Sequence, residues 1–279
     1  MPSVPTTPAP CAVLILGRYS PRPTSARLEL LAEADRRGVA VVTVDEKDPR
    51  TAVAAAVSGF GAGALAVCAS ARVQASVAAV AVGRDLPFAC IPAGPEDLLA
   101  ADVHGPGIDL GDALRRSLSG PERAIDLAEV NGIAFVNYVA FGVRIRVPPV
   151  SEGDRGEGLE RWRATVRRAG SPGVRPLGLG DRFLAPALLV SNNCFQVQRG
   201  DLFGRPCLDA GVLGITTCDQ PPGGPPEDAR DIPWRMRVAS GLELAAGGPV
   251  EANVDGRDRQ LHPPLRFRTL PGALRVRGA

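Results

Sequence analysis

The chain carries almost no lysine, histidine or aromatic residue. Among 279 residues there is one lysine, Lys47, there are two histidines, His104 and His262, and Phe, Trp and Tyr together make up 4 %. Chemistry that needs a lysine, on a phosphate or in a Schiff base, has Lys47 as its single candidate. That residue lies in the charged stretch Asp45-Glu46-Lys47-Asp48, where a solvated role is the plainer reading. Six cysteines are present and none forms a Cys-x-x-Cys pair, so the spacing of a zinc site is missing. Cys11, Cys68 and Cys90 lie in or at the ends of apolar runs, where a free cysteine usually acts as a small core residue. No apolar run approaches the roughly 20 residues that span a bilayer. Residues 1–10 are rich in Pro and Thr, without a basic start or a long apolar segment. They read as a short disordered leader and not as a signal peptide, and the expected location is cytoplasmic. A net charge of +2 gives no reason to expect a nucleic-acid partner.

What is present is ordinary globular composition, 45 % hydrophobic and 22 % charged, in two patterns. Residues 11–17 (CAVLILG) read as a buried strand. A helix follows over 24–37, with Thr24 or Ser25 as N-cap and Gly38 as its stop. Strands over 39–44, 64–68 and 87–91 then alternate with helices over 50–58, 72–82 and 109–118, and Pro95 opens another helix. Strand–helix alternation at this spacing predicts a parallel sheet covered by helices. Near residue 124 the pattern changes. Residues 124–130 and 133–143 read as a hairpin on Asn131-Gly132, and 250–254 with the residues from 257 as a second on Asp255-Gly256. Further strands are expected at 187–190, 212–217, 265–267 and 273–276, so this half is mostly antiparallel β. Residues 151–181 and 219–233 read as irregular, with one helical piece over 159–168. The expected domains are 11–123 and 124–279, after the leader 1–10.

In a parallel sheet of this kind ligands bind beyond the carboxyl ends of the strands. A phosphate cradle there needs glycines, because backbone N–H groups must approach the anion without a Cβ in the way. The turn after the third strand reads Cys68-Ala69-Ser70-Ala71-Arg72 and has none. The next reads Pro92-Ala93-Gly94-Pro95-Glu96-Asp97. It offers one glycine, a proline without an N–H and two carboxylates that repel phosphate.

The residues nevertheless carry a resemblance. Residues 91–100 (IPAGPEDLLA), 125–137 with Asn131-Gly132 and Asn137, Ser191-Asn192-Asn193, 208–214 (LDAGVLG) and 247–276 with Asp255-Gly256 are similar to segments of the diacylglycerol kinase-like lipid kinases. The likeness runs over about residues 11–279 and is stronger in the second half. It implies an α/β + β fold: an N-terminal Rossmann-like parallel-sheet domain, a C-terminal antiparallel β-sandwich domain, and a cleft between them. It also implies phosphoryl transfer from Mg-ATP to a lipid hydroxyl. The family's glycine-rich ATP signature falls at Cys68, Ala69, Ser70, Ala71 and Arg72, where every signature residue is replaced. Ala69, Ser70, Ala71, Arg72 and Gly94 therefore mark degenerate nucleotide loops. The family's proposed general base matches Asp255, while Arg257 stands where the family has Glu. Asp-Gly is also a favoured hairpin turn, so both roles stay open for Asp255. Asp209 survives from an acidic pair and is the candidate metal ligand, whereas Asp126, Asn131 and Asn137 read as structural.

Three functions follow as expectations. The first is a diverged protein that binds or transforms a hydrophobic or amphipathic small molecule in the cleft without efficient ATP use. The second is an active lipid kinase in which Arg72 replaces the lost backbone donors. The third is a pseudokinase acting as a partner subunit. Phe141, Phe195 and Arg257 are the candidate substrate-pocket residues, with Phe203 and Leu213 as further apolar lining. The expected ligand is lipid-like or polycyclic, Mg-ATP enters only if kinase activity is kept, and a homodimer is left open.

Overall fold

A computed structural model describes residues 12–18, 24–94, 97–105, 107–146, 162–166, 175–176, 187–198, 201–218 and 234–278. For residues 143–146, 162–166, 175–176, 197–198, 201–203 and 218 it describes the backbone alone. The leader 1–10 and the stretch 219–233 lie outside the described residues.

The first half builds as its periodicity predicts. Strands β1 (Val13–Gly17), β2 (Ala40–Val44), β3 (Leu65–Cys68) and β4 (Phe88–Cys90) form a parallel sheet in the order β2-β1-β3-β4. Helices α1 (Thr24–Arg36), α2 (Pro49–Phe60), α3 (Ala71–Gly83), α4 (Leu98–His104) and α5 (Leu110–Ser119) connect and cover it. Strand β1 is buried along its whole length because both of its faces are used. Val13 and Ile15 enter the core shared with α2 and α3, and Leu14 and Leu16 enter the core shared with α1 and α5. Helix α2 opens on Pro49 behind Asp48, whose carboxylate accepts the Thr51 N–H, and closes on Gly61 at φ 61°.

The second half is antiparallel. It comprises β5 (Glu122–Val130), β6 (Ile133–Phe135), β7 (Tyr138–Phe141), β8 (Val143–Arg146), β9 (Trp162–Val166), β10 (Arg175–Pro176), β11 (Ala187–Asn192), β12 (Gln196–Gln198), β13 (Asp201–Phe203) and β14 (Leu213–Cys218). The last strands are β15 (Trp234–Ala239), β16 (Gly241–Ala245), β17 (Val250–Val254), β18 (Arg257–Leu261) and β19 (Leu265–Arg277). One sheet has six strands in the order β15-β14-β11-β7-β17-β18, and a smaller one has the order β12-β13-β9-β8. The six-stranded sheet packs on β5, β6, β16 and β19 through a second core that includes Phe135, Phe141 and Phe267. Phe267 meets both other rings edge to face, each with centroids 6.3 Å apart.

Strand β19 joins the halves. It pairs antiparallel with β5 and β16, and at Val276 it lies parallel to Phe88 of β4. The sheet begun by β1 therefore continues unbroken into the C-terminal strands.

Three expectations are corrected. Residues 265–267 and 273–276 are one strand with its register shifted between Leu270 and Leu274, because Pro271 lacks a ladder donor and Gly272 takes φ 59°. Residues 133–143 are not one strand but β6, β7 and the start of β8. The chain bends at Val136-Asn137 and again at Gly142, which has φ 67°. The helical piece expected over 159–168 is instead strand β9, in which the β-favouring Trp162, Thr165 and Val166 join a ladder with β8. Strands β15 and β16 had no expected counterpart.

The edge-to-face trio gives a first test. Phe267→Ala should lower unfolding stability by about 3–5 kcal/mol, the usual cost of an emptied aromatic core site. Urea denaturation followed by circular dichroism would measure it.

Candidate functional site

The turns after β3 and β4 are the positions at which this fold would receive phosphates, and here they are tied to each other. The Gln74 side-chain amide, fully buried on α3, donates to the Ala69 carbonyl at 3.1 Å and to the Asp97 carboxylate at 2.7 Å. That carboxylate also accepts the N–H of Ala93 at 2.9 Å and that of Ala100, in the first turn of α4, at 3.4 Å. Ala69 and Ala93 are themselves buried, and the Cys68 thiol lies 3.9 Å from the Pro92 carbonyl. An internal carboxylate thus takes the N–H donors that an anionic ligand would use. Residues 68–72 adopt none of the positive-φ conformations of a glycine cradle, and Ser70 has φ −56°. Gly94 is half-buried in the second turn, beside residues 95–96, which lie outside the described residues.

A buried polar clasp crosses the molecule next to these loops. Arg205 follows β13, and its side chain is fully buried. Its Nε donates to Asp102 of α4 at 2.7 Å. Its Nη1 donates to the carbonyls of Val136 at 2.6 Å and Asn192 at 3.0 Å, and its Nη2 to the Asn137 side-chain oxygen at 3.1 Å. The guanidinium also stands 5.4 Å over the Phe195 ring. The second Asp102 oxygen accepts the backbone N–H of Arg205 at 2.9 Å, an approach that Gly204 permits, since a Cβ there would lie 2.7 Å from it. Sequence reading passed over Asp102 and Arg205: they are 103 positions apart and sit in no motif.

Asp255 belongs to the same neighbourhood. It is 4 % exposed and occupies the turn between β17 and β18 at φ 46°. One carboxylate oxygen accepts the N–H of Val136 at 2.8 Å, and the other accepts those of Asn137 and Tyr138 at 3.0 Å each. Its own N–H donates to the Tyr138 carbonyl at 3.0 Å. Burial raises its pKa to about 6, against the three N–H donors and the Arg205 charge, which act in the opposite sense. In this geometry Asp255 is an anchor, holding the bend at 136–138 that Arg205 grips from the other side.

Asp126, in β5, is a similar node. Its carboxylate accepts Asn193 Nδ2 at 3.1 Å and the N–H groups of Gly211 at 2.6 Å and Gly272 at 2.8 Å. Asn192 Nδ2 donates to the Asp126 carbonyl at 2.9 Å. The Ser191-Asn192-Asn193 segment therefore fastens the six-stranded sheet to the β5–β19 ladder.

The other candidates disperse. Phe141 and Leu213 lie in the core of the β half, and Phe195 lies under Arg205. Only the backbone of Phe203 is described, so its side chain falls outside the described residues. Asp209 is exposed and accepts the Cys207 thiol at 2.8 Å. Among the described residues no three acidic, His or Cys side chains group as metal ligands.

Arg72 has an electrostatic link to Arg257 and Arg259. Burial and then the positive fields of Arg257 and Arg259 lower the pKa of Arg72, while Glu46 and Asp45 oppose this less strongly. Ser70 Oγ and Arg72 Nε are buried without a hydrogen-bond partner.

No protein-family model and no curated protein sequence matches the chain. Solved structures do. It superposes on a structure described as a diacylglycerol kinase from Bacillus anthracis str. Sterne, with a TM-score of 0.61, 13 % identity and 97 % of each chain covered. Two structures described as putative diacylglycerol kinases from the same organism give 0.64 with 16 % identity over 96 % of each chain, and 0.67 with 14 % identity over 98 % of each. The chain has the fold of these diacylglycerol kinase-like proteins over nearly its whole length, and its helices include none long and apolar enough to cross a membrane among the described residues.

Two outcomes are expected from the polar groups. Arg205→Ala leaves the Asp102 carboxylate buried without its charge partner and should cost about 3–5 kcal/mol of stability, with a coupling above about 1 kcal/mol to Asp102→Asn in a double-mutant cycle. Asp255 binds its proton more tightly folded than unfolded, so its share of stability is fully present below pH about 4. That share falls as pH rises toward about 6 and is level above it. The fall should total about 3 kcal/mol, and the difference between wild type and Asp255→Asn in urea melts from pH 4 to 7 should isolate it.

Proposed function

We propose that this chain is a diverged protein of lipid-kinase fold that binds a hydrophobic or amphipathic small molecule in the cleft between its two halves, without efficient use of ATP. The observation that carries this reading is the Gln74–Asp97 link between the two would-be phosphate loops. A carboxylate anchored by the Ala93 and Ala100 N–H groups places negative charge where a polyphosphate would have to go. Opening the loops for a nucleotide would leave Gln74, Asp97 and the Ala69 carbonyl without partners in a buried place, at about 1–3 kcal/mol for each neutral group and more for the charge.

The state of Asp255 favours binding over turnover. Its oxygens already hold three backbone N–H groups, and its exposure is 4 %. A junction between an α/β part and a β part is a usual place for a small-molecule site. The alternative reading, an active kinase moving a phosphoryl group from Mg-ATP to a lipid hydroxyl, draws on the descriptions of the similar structures.

Calorimetry with Mg-ATP at millimolar concentration should give no saturable heat. Long-chain or polycyclic ligands should raise the melting temperature, since a ligand at 100 times its Kd adds about 2.7 kcal/mol of stability. Nucleotide binding with phosphoryl transfer would replace this reading by the kinase. A flat thermal response across a broad panel of lipids and metabolites would favour a partner-subunit role.

A further inference from the structure

We propose that a recess on the outward face of the β5–β19 ladder binds the phosphate group of a phosphorylated small molecule, with Arg266, Arg268 and His262 as its donors. This inference does not depend on the cleft reading above. The recess shares no residue with the loops after β3 and β4, with the Arg205 clasp or with Asp255.

The recess has a volume of about 510 Å³ and is lined by Glu129, Asn131 and five residues of the stretch 262–268. That volume is in the range of small-molecule sites. Side chains alternate between the two faces of a strand. Leu265 and Phe267 of β19 are buried in the second core, so Arg266 and Arg268 point the other way, with side chains 71 % and 65 % exposed. Across the ladder Arg266 lies opposite Glu243 and Arg268 opposite Glu129. Each guanidinium meets its carboxylate through Nε alone, at 3.4 and 2.7 Å. A guanidinium has five N–H donors, and the Nη groups of both arginines make no hydrogen bond among the described residues.

The wall facing these forks is fixed by Asn131, in the turn that the sequence marks with Asn-Gly. Asn131 Nδ2 donates to the carbonyls of His262 at 3.0 Å and Pro264 at 3.1 Å. Its Oδ1 accepts the Arg266 N–H at 2.8 Å, and its own N–H donates to the Arg266 carbonyl at 3.1 Å. Pro263 and Pro264 have φ set by their rings. The stretch 262–266 therefore keeps its shape without a ligand, which lowers the ordering that binding has to supply. His262, at the head of this stretch, is exposed and lines the recess beside the two arginines.

Two arginines against one glutamate make the lining net positive before His262 is counted. Glu129 is engaged by Arg268, and its side chain is 18 % exposed. An exposed ion pair contributes little to stability, so each fork can turn its Nη edge to a ligand while Nε stays on its carboxylate. One carboxylate has two oxygens in a plane and matches a single fork. Three donor side chains around one recess match a phosphate monoester better, since it carries nearly two charges and three acceptor oxygens at neutral pH. Glu129 and Glu243 flank the forks, so the available charge suits one phosphate group and not a polyphosphate. The remaining volume, edged by Pro263 and Pro264, is left for the body of the ligand.

The test uses the full chain. Calorimetry at low salt would titrate glycerol 3-phosphate and, as a carboxylate of similar size, glycerate. Co-sedimentation would compare vesicles of phosphatidylcholine with and without phosphatidic acid, which presents the same phosphate group on a lipid. Wild type would be set against three double variants, each checked by circular dichroism: Arg266→Ala with Arg268→Ala, Arg266→Lys with Arg268→Lys, and Arg275→Ala with Arg277→Ala. The last removes the same charge from β19 outside the recess. Wild type should bind at least one phosphate source, and glycerate at least about tenfold more weakly than glycerol 3-phosphate where the soluble ester is bound. The 266/268 alanine variant should lose at least about tenfold in affinity, the lysine variant should recover part of it by restoring charge without the fork, and the 275/277 variant should bind as wild type does. Binding of the soluble ester alone supports the site and identifies a free phosphate ester, and binding of phosphatidic acid vesicles alone supports it and identifies a lipid headgroup. No binding of either source by wild type overturns the site. So does unchanged affinity in the 266/268 alanine variant, an equal loss in the 275/277 variant, or glycerate bound as well as glycerol 3-phosphate. If the alanine variant does not fold, wild-type affinity in the lysine variant overturns the role of the forks.

Discussion

The Arg205–Asp102 pair is the contact around which the rest of the polar interior is arranged. Two charges with almost no exposure are tolerated only when their hydrogen-bonding capacity is met, and here it is met from three separate stretches of chain. Asp102 comes from α4, the carbonyls from Val136 and Asn192, and the side-chain oxygen from Asn137. Such a pair adds little net stability compared with an apolar packing of equal volume. What it fixes is registration: α4, the bend at 136–138 and the end of β11 are held in one relation, because any slip leaves a buried charge unmatched.

Asp255, Asp126 and Asp97 repeat one device. Each is a buried carboxylate gathering backbone N–H groups from a bend or a helix start. In each case the anion satisfies donors that no ladder can reach, which is why strands break cleanly at Val136 and bulge at Pro271 without stranded amides. Asp255 and Arg205 share a target, since Val136 and Asn137 each give an N–H to Asp255 and an oxygen to Arg205. The stiff seam that results separates the closed loops after β3 and β4 from the core of the β half.

Compared with the solved structures it superposes on, the chain keeps the fold over nearly its whole length. At the carboxyl ends of β3 and β4, Gln74 and Asp97 tie the two following turns to each other.

Elements with local signals were legible along the chain. Alternating apolar runs and helical periods located β1 to β4 and four of the helices to within a few residues, and Asn-Gly and Asp-Gly located two hairpins, because each signal depends on neighbours a turn or two away. The absence of glycine from residues 68–72 was equally legible, since a Cβ is either present or absent. Whatever depends on contacts between distant residues emerged only on folding. Pairing with β5 joined 265–267 and 273–276 into one bulged strand, and a place beside β8 made a strand of Trp162–Val166. Packing put Phe141 and Phe195 in the interior. Folding also turned Asp255 into an anchor for residues more than a hundred positions away. Buried charges find partners wherever the fold delivers them, and no spacing rule along the chain encodes that delivery.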